Sequence, residues 1–263
     1  MRHSFLNSLL VSMLSVLTCL CLAYSIFGAG LYICTTPEAT KTIGSSFSNW
    51  DRAVFPEEDM AAIAESVREF SVEGTSSEEL YSEIENIIQK NYPAVFEAFK
   101  TGSLSDEAQK SEYASLFGTN SLSTLSERYS LPQDALSHLS DCTPIFTTGK
   151  ISVGVLCAVG IAGLVALGLL RGRKRIGSVL MLSATLVLLC IGGLIAWAVV
   201  DFDSLFTAMH SVLFAKGTWL FDSKSLLIQL FPEAFWIAMA GLWALTSIEL
   251  SIVILIAGKI IKH

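Results

Sequence analysis

Two of the four histidines stand in settings where an imidazole could carry out acid–base chemistry. His138 has Asp134 four residues before it and Asp141 three residues after it. On a helix both spacings place the carboxylate on the same face as the imidazole. A carboxylate bonded to one ring nitrogen fixes the tautomer and raises the basicity of the other nitrogen, which suits a general base. A solvated helix face with an incidental histidine has the same spacing, so both interpretations stand at this point.

His210 is the second candidate, and its neighbours are apolar. Phe206 and Phe214 lie four residues to either side of it, and therefore on the same helical face. Desolvation by such neighbours favours the neutral imidazole, which can accept a proton. A polar residue tolerated at a membrane interface would show the same pattern, so this alternative also stands.

Other common catalytic arrangements are missing from the sequence. It contains no GxSxG serine motif and no Cys–His constellation. Two histidines without HExxH or CxxC spacing rarely make a zinc site. The sequence therefore gives little support for a zinc site.

The elements that must position these histidines include four long apolar runs, at 6–33, 151–170, 176–200 and 235–257. Charged residues make up only 16% of the chain, whereas a soluble domain carries roughly 25%. Each run is long enough to cross a bilayer as a helix of roughly 20 residues. Only helices satisfy the backbone of such isolated runs within hydrocarbon. We predict an all-α membrane protein with four transmembrane helices.

Basic residues set the predicted orientation. Four of the five residues in the 171–175 link between spans two and three are Arg or Lys. Arg2 before span one and Lys259 after span four fall on the same side, which the positive-inside rule makes cytoplasmic. We therefore expect a multi-pass protein of the cell membrane with both termini cytoplasmic, and residues 34–150 and 201–234 outside.

Residues 34–150 form the predicted extracytoplasmic domain. They carry 19 acidic and eight basic side chains, a net charge of −11 against −7 for the whole chain. This acidity argues against a nucleic-acid partner. Apolar residues recur at helical spacing after Pro56, and a capping box at Thr75 predicts the start of a second helix. The domain is therefore predicted to be small and helical.

Three further features are predicted in or beside this domain. A third short helix is predicted from Pro132 to about Ser140, which would carry His138 and end roughly ten residues before span two. The stretch at 101–125, dense in Ser, Thr and charge, predicts a linker.

Cys34 and Cys142 each lie near the outer end of a span, so a disulfide between them is possible.

The outer segment at 201–234 is strongly apolar but too short and too interrupted to span the bilayer. An interfacial or re-entrant helix between spans three and four fits it better. Trp197 and Trp236 flank it and Trp219 lies within it, as aromatic side chains do at the headgroup level. His210 is therefore predicted to lie at the outer membrane surface.

At this point the residues carry a resemblance to a known family. The segment 209–236, MHSVLFAKGTWLFDSKSLLIQLFPEAFW, resembles the signature of the lipoprotein intramolecular transacylase (Lit) family of bacterial membrane proteins. That signature runs from His through Trp and Asp-Pro to Leu-Ile and Pro-Glu. The segment 135–141, ALSHLSD, resembles the second block of the family, in which a His is followed by an Asp before span two. The four-span layout also matches.

Two positions depart from that signature. The Asp-Pro pair of the family is Asp222-Ser223 here, and Leu226 stands where an Asp is expected. The domain before span two is also longer than is usual in the family. With these departures, the resemblance supports membership of the family more strongly than it supports an identical activity.

The resemblance implies an acyltransferase that acts on diacylglyceryl lipoproteins in membrane lipid. Such an enzyme moves the sn-2 acyl chain of the lipidated cysteine onto the α-amine of that cysteine and leaves a lyso-lipoprotein. It implies His138 and His210 as catalytic residues, with Asp134, Asp141, Trp219 and Asp222 in support, and no cofactor. Two alternatives are a non-catalytic membrane protein whose acidic ectodomain binds another envelope component, and a lipid esterase that uses water as the acceptor.

Overall fold

A computed structural model of the chain describes residues 2–102 and 122–263. Within that part the regular structure is helical throughout. The helices that follow one another along the chain are α1 (Arg2–Cys34), α2 (Pro37–Phe47), a 3-10 turn (Trp50–Arg52), α3 (Glu57–Arg68), a π-helical turn (Glu69–Glu73), α4 (Ser77–Asn91), α5 (Pro93–Thr101), α6 (Leu122–Tyr129), α7 (Gln133–Arg171), α8 (Arg173–Val200), α9 (Phe202–Leu213), α10 (Leu226–Leu230) and α11 (Glu233–Lys262).

The chain divides into two compact units. The membrane unit comprises Met1–Cys34, Phe146–Met209 and Ala240–His263, and the helical domain comprises Thr35–Ile145 and His210–Met239. Four helices of the described chain are long and apolar enough to cross a membrane. The prediction of an all-α protein with four transmembrane helices is therefore confirmed.

Close helix packing holds the membrane unit together. Helix α1 packs along α8, and a small apolar core forms where Ile26 and Ile191 meet. Helices α8 and α11 approach each other at Gly177, where a Cβ atom would lie 2.4 Å from the backbone oxygen of Gly258. Such small residues let neighbouring backbones approach within a membrane.

The helical domain has a conventional hydrophobic core. Met60 and Ile63 of α3 and Ile84 and Ile88 of α4 are almost fully buried, in agreement with the helical spacing of apolar residues in the sequence. The helix start predicted at Thr75 lies one residue further on: Ser76 is the N-cap, and its hydroxyl accepts a hydrogen bond from the Glu79 amide at 3.2 Å. This core provides the scaffold on which the candidate site is built.

One predicted boundary is wrong. The short helix expected to end near Ser140 does not end there, because α7 runs from Gln133 to Arg171 and passes through Pro144. The polar residues after Ser140 are accommodated on the exposed side of the helix, and hydrogen bonding along a helix need not stop where the bilayer stops. The Thr143 hydroxyl donates to the backbone oxygen of Phe70 at 3.2 Å and ties this turn to the helical domain. His138 therefore stands on an extension of a spanning helix.

The predicted linker at 101–125 lies mostly outside the described residues. At its edges the structure is helical, since α5 includes Thr101 and α6 begins at Leu122. The linker prediction is wrong at those edges, where the hydroxyl side chains of Thr101, Ser123 and Thr124 are exposed on helices.

The second half of the 201–234 segment is part of the core of the helical domain. Leu226 and Leu230 of α10 are completely buried. The Trp50 indole donates to the backbone oxygen of Leu230 at 3.2 Å, and the Gln229 side-chain oxygen accepts from the Val54 amide at 3.1 Å. These contacts fix the segment that carries His210 to the domain from which α7 emerges with His138.

Candidate active site

The two candidate histidines meet within the helical domain. His138 comes from the first turns of α7 and His210 from the last turn of α9. Their ring centroids are 6.1 Å apart and the ring planes are inclined by 28°. General acid and base groups must reach one substrate, and this separation allows it.

The start of α7 is held firmly, which fixes the position of His138. The Tyr81 hydroxyl donates to the backbone oxygen of Leu131 at 2.9 Å just before the helix begins. Ala135 and Leu139, one turn apart, are buried in the domain core. Packing on one side of the helix thus sets the direction in which His138 points.

Aromatic rings surround the histidine pair. The ring of Phe214 lies 4.6 Å from His138 and 5.5 Å from His210 by centroid distance. Phe221 lies 5.7 Å from His138, and Trp219 lies 4.9 Å from His210. The pair therefore has an apolar environment in which an imidazolium is poorly solvated.

A glycine turn brings two of these rings back to the histidines. After α9 the chain turns at Gly217, whose φ of 87° lies in the region that favours glycine. The Thr218 amide donates to the backbone oxygen of Ala215 at 3.3 Å and closes the turn. Trp219 and Phe221 follow directly, so this turn determines where their rings lie.

Burial sets the charge state of His138. Desolvation, and secondly the charge of His210, hold the pKa of His138 below its ordinary value, while Asp141 raises that pKa by a smaller amount. His138 is therefore neutral at pH 7. Its Nδ1 atom is buried and has no hydrogen-bond partner among the described residues. A buried ring nitrogen left in this way is costly, so the arrangement does not resemble a satisfied core histidine.

The carboxylates predicted to bond to His138 do not do so. Asp134 and Asp141 are both exposed, and Asp134 instead accepts a hydrogen bond from the Ala135 amide at 2.9 Å. The helical spacing places them near the ring, but short carboxylate side chains at the start of a helix are drawn to free backbone amides. Asp141 acts on His138 through its charge alone.

A small cavity of about 120 Å³ lies beside the site. Phe221 forms part of its wall together with the carboxylates of Glu127, Asp134 and Asp222. Asp222 also shapes the adjoining loop, because its carboxylate accepts from the Lys224 amide at 2.7 Å. Within the described chain no group of three or more His, Cys, Asp or Glu side chains is arranged to hold a metal ion.

Cys142 adds no reactive group to this region. Its thiol lies 3.3 Å from the backbone oxygen of His138, one helical turn away. Burial raises the pKa of the Cys142 thiol to about 12, which leaves it protonated and a poor nucleophile. The possible disulfide with Cys34 is not formed in this structure.

Sequence reasoning missed Phe221 as a neighbour of His138. The two residues are far apart in the chain, so no local spacing relates them. The only signal was the density of aromatic residues between His210 and Trp236, which was interpreted as contact with lipid headgroups. Trp219, by contrast, was predicted to support the site and does contact His210.

Comparison with known proteins gives the same family that the two histidine blocks suggested. The family model of the lipoprotein intramolecular transacylase Lit matches residues 72–236, well over half of the chain and including both histidines. The chain belongs to this family. No curated protein sequence matches it.

Solved structures of a Lit protein share the fold. The in meso structure of the membrane-integral lipoprotein intramolecular transacylase Lit from Bacillus cereus is 17% identical and covers 97% of this chain and 96% of its own, with a TM-score of 0.58. A variant of that protein with one histidine replaced by arginine is 16% identical, covers 99% and 95% of the two chains, and gives a TM-score of 0.57.

The two departures from the Lit signature have different surroundings. Leu226 is fully buried in the core, so the position takes an apolar side chain in this member of the family. Ser223 is exposed in the loop after Asp222.

Proposed function

We propose that this chain moves the sn-2 acyl chain of a diacylglyceryl-cysteine lipoprotein onto the α-amine of the same cysteine. His138 and His210 are the catalytic residues of this proposal. Trp219 positions the ring of His210, and Asp141 tunes the charge state of His138. The product is the lyso-lipoprotein, and no fatty acid is released.

The observation that carries the proposal is the histidine pair itself. Two imidazoles 6.1 Å apart in an aromatic enclosure, one of them neutral and lacking a partner at Nδ1 within the described chain, provide a base and an acid for one substrate. A structural role for His138 would instead call for a hydrogen-bond partner.

The reaction needs little beyond orientation and proton transfer. The amine nitrogen attacks the ester carbonyl carbon, one N–C bond forms, and one C–O bond breaks. The α-amine reacts as the free base, after its ammonium form has released one proton to solvent. In the transfer itself one proton leaves the nitrogen and one arrives at the glycerol oxygen, so the exchange is balanced without water as a reactant and without an oxidant. Neutral His138 accepts the proton of the amine, and His210 assists the departing oxygen. Because donor and acceptor belong to one cysteine, proximity is already present in the substrate.

The surface near the histidines suits a lipid-bearing substrate. Val212, two residues after His210, is 86% exposed, and Leu220, between Trp219 and Phe221, is 67% exposed. Apolar side chains of this kind favour contact with acyl chains. The adjoining cavity with the carboxylates of Asp134 and Asp222 suits a cationic amine before it loses its proton.

We also propose the orientation that this reaction requires. The basic 171–175 link and both chain ends lie on the cytoplasmic side, by the positive-inside rule. The helical domain with its histidine pair then faces outward, at the headgroup level of the outer leaflet, where lipidated cysteines reside.

Mass spectrometry of lipoprotein N-termini tests the proposal. A bacterial strain that makes diacylglyceryl lipoproteins is compared with and without this chain. We expect an N-acyl, S-monoacyl cysteine only when the chain is present. If the N-termini stay diacylated at comparable expression, the proposed activity is wrong and a non-catalytic binding role is favoured.

The same experiment distinguishes an esterase. Hydrolysis would release one fatty acid for each lyso-lipoprotein and leave the α-amine free, whereas transacylation keeps the total number of acyl chains. Quantifying free fatty acid in a reconstituted system therefore separates the two reactions.

A further inference from the structure

A basic cleft lies in the membrane unit, apart from any residue of the histidine site. It has a volume of about 390 Å³ and opens to the surface. It is formed where the start of α1 meets the end of α7 and the start of α8. The lining residues are Ser8, Val11, Ser12, Arg171, Lys174, Arg175 and Ser178.

The cations of this cleft have no acidic counterpart. The side chains of Arg171 and Lys174 form no ion pair within the described chain, and both are exposed. The sequence of the membrane unit contains only three acids, Asp201, Asp203 and Glu249. The first two follow the far end of α8, about 40 Å along its axis. The positive charge of the cleft is therefore left for a ligand.

The local geometry presents donors as well as charge. Arg175 is oriented by its Nε, which donates to the Ser15 hydroxyl at 2.9 Å. The N-terminus of α8 lies here too, and its capping residue Gly172, with φ of 74°, has no side chain to satisfy the first amides of the helix. Hydroxyls, guanidinium groups and the first amides of the helix together match the oxygens of a phosphate group.

The rim of the cleft indicates where that phosphate comes from. Val11 lines the cleft, and the neighbouring Leu9 and Leu10 are exposed, as is Leu170 beside Arg171. Polar groups that adjoin an exposed apolar surface suit a headgroup with attached acyl chains. A free phosphate ion would gain nothing from the apolar rim.

From these observations we propose that the cleft binds the phosphate of an anionic phospholipid. Lys174 and Arg171 supply the charge, and Ser8 and Ser12 supply hydroxyl donors. A choline headgroup binds less well, because its quaternary ammonium is repelled by the same cations.

Lipid titration of the purified full chain tests this assignment. Native mass spectrometry in detergent measures the apparent affinity for phosphatidylglycerol, for phosphatidylcholine and for inorganic phosphate. We expect phosphatidylglycerol to bind tightest. Lys174→Gln should weaken its binding about fivefold, the effect of one basic residue near an anionic headgroup. Lys174→Arg should retain it.

Arg173→Gln is the matched control, because Arg173 stands in the same link and loses the same charge but does not line the cleft. We expect its affinity for phosphatidylglycerol to change less than twofold. Equal losses in the two variants would mean diffuse attraction and overturn the site. Equal affinity for both lipids, or tighter binding of inorganic phosphate than of phosphatidylglycerol, would overturn the proposed ligand.

Discussion

The two connections between the later spans have opposite characters. In the structure α7 and α8 are joined through Gly172 alone, and the Arg and Lys side chains of the 171–175 segment form no ion pair in the described chain. The connection between α8 and α11 is several times longer, and it inserts α10 into the core of the helical domain. The first acts through its positive charge, and the second through burial and shape.

This difference indicates where single substitutions should have large effects on activity or stability. In the long connection a side chain acts through particular partners, as His210 does with His138 and Trp219. Replacing one of these side chains therefore changes the position of the side chains that contact it. In the short link each charge acts largely by itself, so single losses should be modest.

Replacing either histidine of the pair should give the largest loss. We expect His138→Ala and His210→Ala each to lower the rate of lyso-lipoprotein formation by about 10²–10⁴-fold, the usual contribution of a general acid or base. The rate is measured by mass spectrometry of a reconstituted lipoprotein. His263→Ala, at the exposed C-terminus, is the matched control and should leave the rate unchanged. Activity retained in either pair variant would remove that residue from the mechanism.

Restoring the family residue at position 226 should destabilise this chain. Leu226 is completely buried, so Leu226→Asp removes an apolar side chain and places a carboxylate in the core. We expect the free energy of unfolding of the helical domain to fall by about 3–5 kcal/mol, as measured by denaturation in detergent. Ser223→Ala, at the other departure, should change it by less than about 0.5 kcal/mol because the position is exposed. Comparable stability of both variants would contradict the burial argument.

Two glycine turns provide a matched pair across the two connections. Gly172 and Gly217 both have positive φ, at 74° and 87°, and no atom lies within 4 Å of an added Cβ. Replacing either with Ala should cost about 1–2 kcal/mol of backbone strain. We expect only Gly217→Ala also to lower the transacylation rate, because that turn positions Trp219 and Phe221. An equal effect of both variants on the rate would show that the turn does not position the site.

The pH dependence should give the smallest effect. Because burial and His210 lower the pKa of His138, the neutral base persists below pH 6.5, and the rate should fall only at more acidic pH. The same shift predicts stability that is complete above about pH 6.5 and decreases as the pH falls towards the folded-state pKa. Both profiles belong to the coupled histidine pair.

Asp141→Asn tests whether the charge of Asp141 contributes to this pH dependence. Asp141 raises the pKa of His138, so its neutralisation should move the acidic limb of the rate profile to lower pH, by less than about one unit. Asp134→Asn is the control, since Asp134 lies on the same helix but contributes no charge effect to His138. An upward shift in Asp141→Asn would contradict the electrostatic assignment.

The sequence by itself determined the class of the molecule. Apolar runs of bilayer length require helices whatever the rest of the chain does, and the basic link at 171–175 is visible without coordinates. The start of the second domain helix follows from local hydrogen bonding, so it was predicted to within one residue of the N-cap Ser76. The end of the His138 helix was not, because polar residues near Asp141 are compatible with either a loop or an exposed helix face.

The assembly of the candidate site, by contrast, is visible only in the tertiary structure. His138 and His210 are 72 positions apart, and nothing in local spacing places their rings within 6.1 Å. The carboxylates with the correct helical spacing did not bond to the ring, whereas the distant Phe221 contacts it. The physical reason is that periodicity fixes which face of a helix a residue occupies, but the packing of Leu226 and its neighbours into the core fixes which faces meet.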